Sequence, residues 1–255
     1  MTPVLAHLLF AGCAALATWA QNLTGFAFAL ILLGLVGALH LAPVSEAADA
    51  AMLLALLNAA VHFRRHPITP QWRLVRPTLA ASLVGVAAGV ALLTWLGGQG
   101  VQALRGVLGA AILACAAMLL LRAAPRATLS GTGGFALAGA VSGVMGGLFS
   151  SPGPPLVYHL YRQPLERPVV QQCLLLVFTA NAALRCVLTL AAGHLSMRVF
   201  MLAACAAPAV WLVTRWQHRR PTRIRPERLR VLVCALLMLA GSALVCGSFG
   251  VRSPT

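Results

Sequence analysis

Gly146-Gly147-Leu148-Phe149-Ser150-Ser151-Pro152-Gly153-Pro154-Pro155 breaks an otherwise apolar stretch of this 255-residue chain, and Gln21-Asn22-Leu23-Thr24-Gly25-Phe26 breaks another near its start. Proline removes a backbone donor and clashes with a continuing helix, so each break leaves carbonyls and amides without helical partners. The runs on either side decide what that means. Sixty per cent of the residues belong to the AVILMFWYC set and 9% are charged, and the mean hydropathy is +0.88. An ordinary globular domain is about a quarter charged, so a soluble enzyme is ruled out and the fold reads as an all-α polytopic membrane protein.

Ten apolar elements follow from hydropathy, at about 4–20, 25–39, 47–63, 77–96, 102–122, 132–149, 154–162, 169–191, 199–215 and 230–249. Phe10-Ala11-Gly12-Cys13 has the form of a lipoprotein processing site, but no Arg or Lys precedes it, so 4–20 reads as a first transmembrane element. Five elements fall on each side of the joint at Arg122 to Gly134, and the halves echo each other. Each opens with a Gly-rich break and passes through Pro43 or Pro164 into a helix. Asn58-Ala59-Ala60 then corresponds to Asn181-Ala182-Ala183, and Arg73 to Arg198. This predicts a single membrane domain of two repeats, 1–125 and 126–255. An odd number of elements in each makes them inverted. The element at 154–162 is too short to cross a bilayer core of about 30 Å, so eight to ten membrane segments are expected, with a broken or re-entrant helix opening each repeat.

The formal net charge of +15 sits in the joints, which fits the positive-inside rule rather than nucleic-acid binding. Placing 64–76 in the cytoplasm leaves only Arg105, Arg198 and Arg252 outside and Arg185 within a helix. Trp72, Trp216 and Trp95 then fall at the two interfaces. The run from Arg215 to Arg230 reads as a topogenic loop meeting anionic lipid. The seven cysteines lie in apolar runs without CxxC spacing, so buried thiols are expected, and neither metal nor cofactor.

Within the breaks, half-helix N-termini offer unpaired amides to an anion. Gly25, Gly147 and Gly153 leave room for close approach, Pro154 is among the prolines that enforce the second break, and Gln21, Asn22, Thr24, Ser150 and Ser151 supply neutral hydrogen bonds. Arg185 lies one turn after Asn181 on an apolar helix, where a cation costs about 2.5–3.5 kcal/mol. No acidic residue is near it in sequence, which points to the substrate as its counter-charge. Asn58 and Asn181 serve either as ligands or as interhelical glue. Ser45 and Glu46 read as an N-cap with a first-turn acid. Asp49 reads first as part of that capping and second as a proton-coupling residue. His40, His159 and His194 sit near interfaces.

Gln21-Asn22-Leu23-Thr24-Gly25-Phe26-Ala27-Phe28-Ala29-Leu30, together with Gly146-Gly147-Leu148-Phe149 and Gly153-Pro154-Pro155-Leu156, resemble the paired signatures of the TauE/SafE sulfite exporter family. The resemblance spans nearly the whole chain. Asn22 and Ala27 stand where Gly is common in the family, and Ser150-Ser151-Pro152 where a Gly-rich stretch is usual. The resemblance implies a bacterial inner-membrane secondary transporter, built from a duplicated unit, for sulfite, a sulfonate or a related small anion. The expected partners are that anion, lipid, and protons through Asp49, with self-association left open. The rival reading is a membrane-embedded assembly protein working through its basic loop. An intramembrane enzyme is disfavoured, because no Ser/His, Cys/His or carboxylate pair stands at catalytic spacing.

Overall fold

The computed structural model describes residues 3–24, 26–64, 71–97, 101–120, 126–150, 153–193, 195–219 and 226–249. Ten α-helices account for nearly all of them: α1 (Pro3–Thr24), α2 (Phe28–Ala38), α3 (Val44–Phe63), α4 (Trp72–Gly97), α5 (Val101–Leu120), α6 (Thr132–Phe149), α7 (Gly153–Tyr161), α8 (Arg167–Ala191), α9 (Met197–Arg219) and α10 (Pro226–Phe249). Helices are what hydrocarbon permits, since every backbone group must find its partner within the segment. Among the described residues, five helices are long and apolar enough to cross a membrane: α3, α4, α6, α8 and α9. All ten apolar elements are present. The ends of α4, α8, α9 and α10 run past the apolar stretches into the arginine-bearing joints, where helix propensity and not hydropathy sets the limit.

The packing order repeats across the chain. α6 lies along α4, and α1 lies along α9; α8 also packs on α4, and α3 on α9; α7 meets α5, and α2 meets α10. Two further contacts, α3 with α8 and α5 with α10, join the halves. The α4–α6 contact is the tightest. A Cβ added at Gly139 would strike the Thr78 carbonyl, one at Gly143 the Ser82 carbonyl, and one at Gly147 the Val86 carbonyl. Residue numbers rise together along both helices, so α4 and α6 run parallel. In lipid, burial of apolar surface does not drive helices together, and small residues that let backbones touch take over that role.

α6 and α7 form a hairpin that closes on its own start. Ser130 N–H donates to Gln163 Oε1 (2.9 Å), Arg126 N–H donates to the Arg162 carbonyl (2.7 Å), and the Phe135 and His159 rings stack edge to face at 4.9 Å. Trp72, Trp95 and Trp216 are exposed on the helix surfaces. Cys13, Cys115, Cys173 and Cys234 are buried as expected, whereas Cys205 and Cys246 are exposed and Cys186 is half-buried. An apolar run covers the outward face of a membrane helix as well as the inward one, so run membership alone does not bury a thiol.

Candidate functional site

The two sequence breaks meet. Helix α1 ends at Thr24, and α2 begins at Phe28 with Ala27 as its N-cap in the left-handed region (φ 82°, ψ −7°). Helix α6 ends at a C-cap, Ser150, also left-handed (φ 55°, ψ 19°), and α7 begins at Gly153. A Cβ on Gly153 would lie 3.4 Å from the Phe26 ring, so the second break is packed on the first. Between them is a cavity of about 40 Å³. Gln21, Phe26, Ala27, Phe28 and Ala29 line it from the first break, and Gly146, Ser150 and Gly153 from the second. Ala55 of α3 and Phe178, Asn181 and Ala182 of α8 complete the wall.

A left-handed alanine costs about 1–2 kcal/mol relative to the right-handed form, and such strain collects at functional sites. Ala27→Gly is therefore expected to raise stability by about 0.5–1 kcal/mol after the greater entropy of unfolded Gly is counted. Thermal unfolding in detergent checks this, and a lowered Tm would contradict the backbone conformation at this position.

Two polar atoms around the cavity are buried without a hydrogen-bond partner, Gln21 Oε1 and Asn181 Nδ2. Asn181 is 2% exposed, and its Oδ1 accepts from Ser82 Oγ of α4 (2.9 Å), which leaves the amide nitrogen for another group. The helix start at Phe28 adds more donors. The first intrahelical bond of α2 runs from Ile31 N–H to the Ala27 carbonyl (3.0 Å), so the amides of Phe28, Ala29 and Leu30 have no partner within the helix. The start of α7 is poorer in donors, because Pro154 and Pro155 carry no N–H. The anion-binding amides expected at both half-helices are thus concentrated at α2.

Beyond one wall of the cavity lies a buried ion pair. Arg185 Nη2 donates to Asp49 Oδ1 at 2.9 Å. Arg185 Nη1 donates to the Gly146 carbonyl (3.3 Å) and to that of Gly147. The guanidinium so satisfies the last carbonyls of α6, where the negative end of the helix dipole favours a cation. Arg185 Nε is buried without a partner. Ser150 Oγ donates to the Ala48 carbonyl (2.7 Å), which ties the end of α6 to the helix that carries Asp49. This corrects two expectations. Arg185 has a counter-charge within the protein, Asp49, which sequence proximity did not suggest. Capping is also not the role of Asp49, which stands in the second turn of α3 behind an N-cap, Pro43, that makes no side-chain cap bond. Ser45 is not the cap either; Glu46 stands in the first turn as expected and also lies 3.9 Å from Arg198 of α9.

Asn22 and Asn58 belong to a second polar cluster. Asn22 Nδ2 donates to Thr214 Oγ1 (3.2 Å) and Gln217 Oε1 (2.8 Å) of α9. Asn58 Nδ2 donates to Asn22 Oδ1 (3.3 Å), and Asn58 Oδ1 accepts from Thr214 Oγ1 (2.7 Å). Gln217 Nε2 closes the cluster on the Trp19 carbonyl (3.2 Å). These residues join α1, α3 and α9, while Gln21, next to Asn22, points to the cavity. Thr24 ends α1 and Pro154 lies in the first turn of α7; Gly25, Ser151, Pro152 and His194 fall outside the described residues. Sequence reasoning missed Ser82, Phe178, Thr214 and Gln217. The signal for Ser82 was a hydroxyl one turn after Thr78 in an apolar helix, and for Thr214 and Gln217 two polar residues three apart.

Apolar helices of membrane-crossing length, with a mostly apolar cavity between two helix ends, fit a multi-pass membrane protein. The chain belongs to the sulfite exporter TauE/SafE family, whose model matches residues 10–244. It is 32% identical over 228 residues, 89% of either chain, to a protein of Cupriavidus necator named "Probable sulfite/organosulfonate exporter TauE". No solved structure matches it.

Proposed function

We propose that the protein is a secondary exporter of sulfite, a sulfonate or a related small anion across a bacterial inner membrane, and that the cavity between the two helix breaks is its binding site. The observation that carries this reading is the convergence of both breaks on one cavity whose wall holds an unpartnered buried amide donor, Asn181 Nδ2. The anion would take that donor together with the amides of Phe28 and Ala29 at the start of α2. Residues 1–125 and 126–255 are read as inverted repeats. The matching packing of α6 on α4 and α1 on α9, and the α6–α7 hairpin that returns to its starting side, support this. Rocking of one repeat against the other would then open the cavity to each side in turn. Asn22 and Asn58 would hold α1, α3 and α9 together beside the site, with Gln21 reaching it.

Thermal unfolding of the detergent-solubilised protein with sulfite, methanesulfonate, taurine, sulfate and chloride tests the site, because a ligand of the folded state raises Tm by mass action. At a concentration 100-fold above Kd, sulfite or a sulfonate should add about 2.7 kcal/mol of stability. Asn181→Leu should stay folded, since Ser82 Oγ also reaches the Leu79 carbonyl (3.0 Å), and should lose the ligand response. A wild-type protein that none of these anions stabilises, and that moves none of them in vesicles, would overturn the reading.

A further inference from the structure

The cavity and the Asp49–Arg185 pair share a wall. Gly146 lines the cavity, and its carbonyl accepts from Arg185 Nη1. Asn181, which also lines the cavity, precedes Arg185 by one turn of α8. The guanidinium is therefore the nearest buried positive charge that an anion in the cavity could reach, and Asp49 holds it. Three charges cannot share this place cheaply. With Asp49 ionised, an arriving monovalent anion would leave one uncompensated negative charge in a buried site. With Asp49 protonated, the anion and Arg185 balance.

We propose that Asp49 and the transported anion compete for Arg185, so that one proton is taken up by Asp49 with each monovalent anion that binds. This rests on the cavity being the anion site. The proton comes from water onto a carboxylate oxygen of Asp49, and the anion replaces that carboxylate at the guanidinium. Arg185 keeps its charge throughout. The accessible member of the pair is the right one, since the Asp49 side chain is 11% exposed and that of Arg185 is 1% exposed. Arg185 Nε, buried without a partner, is a donor the incoming anion would use.

Among the described residues, the other ionisable groups around Asp49 are few. On its own helix Glu46 lies one turn nearer the start and is turned to Arg198 of α9. On α8, Cys186 follows Arg185, and its thiol is neutral near pH 7. Neither α2 nor α6 carries an ionisable side chain. His40, in the turn before α3, is exposed and directs Nδ1 to the Ala38 carbonyl (3.2 Å).

Calorimetric titration of the full-length protein with methanesulfonate tests the exchange. This anion does not itself titrate near neutral pH, whereas sulfite does. Repeating the titration in buffers of different ionisation enthalpy gives the protons taken up. About one proton per anion is expected, with affinity rising up to about tenfold for each unit fall in pH. Asp49→Asn, whose carbonyl can still accept from Arg185, should bind with no proton uptake and a flat pH response. Glu46→Gln and Asp49→Glu should keep the wild-type slope. Binding by the wild type without proton uptake overturns the proposal and leaves the anion site standing, as does an Asp49→Asn protein that keeps the wild-type slope. Wild-type protein that binds neither methanesulfonate nor sulfite at any pH would overturn the anion site, and the exchange with it.

Discussion

Gly143→Val should prevent the protein from folding. A Cβ at this position would sit 2.8 Å from both the carbonyl carbon and the Cα of Ser82, and closer still to the Ser82 oxygen. All three are backbone atoms, so no rotamer change relieves the overlap and the two helices must move apart. Separation would also undo the neighbouring contacts, where a Cβ on Gly147 would be 2.8 Å from the Gly89 Cα and one on Gly85 would be 2.9 Å from the Val144 nitrogen. Close backbone contact is what holds helices together in lipid, where an apolar surface gains little by leaving the acyl chains. Overpacking alone costs about 1–3 kcal/mol, and the loss of the aligned contacts comes on top. The expected result is loss of the monodisperse peak on size exclusion and of a cooperative thermal transition. Gly12→Ala is the matching control, because a Cβ there meets nothing within 4 Å, and its Tm should stay close to that of the wild type. A Gly143→Val protein with the wild-type Tm would mean that α4 and α6 do not touch at this point.

This contact shows what kind of information the sequence carries openly. The number and place of the helices could be read directly, because a membrane element must be apolar over a length set by the bilayer. Both breaks were visible too, since proline and clustered glycine have local consequences. The fourfold spacing of Gly139, Gly143 and Gly147 on α6, and of Gly85 and Gly89 on α4, was also present as a small-residue pattern. What it lacked was the partner, because spacing marks a face of one helix and not the helix that will cover it.

The site was legible in the same partial way. Gln21, Gly153, Ser150 and Asn181 stood out as polar or small residues in apolar surroundings, and they line one cavity. The Asp49–Arg185 pair joins residues 136 apart in the chain, and nothing local to either one announces the other. Asp49 near a helix start resembles a dipole-complementing acid, and a cap is the commoner use of such a residue. Proline at 43 had already fixed the helix entry, so the acid beyond it was available for a long-range role. The left-handed Ala27 and Ser150 were hidden for another reason. Only Gly advertises that conformation in a sequence, and neither position has one.

Arg185→Ala should destabilise the fold by about 3–5 kcal/mol, the usual consequence of removing one member of a buried, hydrogen-bonded ion pair. Arg185 is 1% exposed, and its removal leaves the Asp49 carboxylate without its cation and the Gly146 and Gly147 carbonyls without their donor. On the soluble-protein scale this corresponds to a fall in Tm on the order of 10 °C. The double variant Asp49→Asn/Arg185→Gln should recover much of that loss, because a neutral amide pair bears a far smaller desolvation penalty than an unpaired charge. Thermal unfolding of wild type, Asp49→Asn, Arg185→Gln and the double variant forms a cycle, and a coupling energy above about 1 kcal/mol is expected for residues in direct contact. An Arg185→Ala protein with unchanged Tm and a cycle that closes to zero would mean that the two charges do not meet in the folded protein. Retained coupling together with a lowered Arg185→Ala Tm would show that the two charges meet in the folded protein and that Asp49 depends on its cation there.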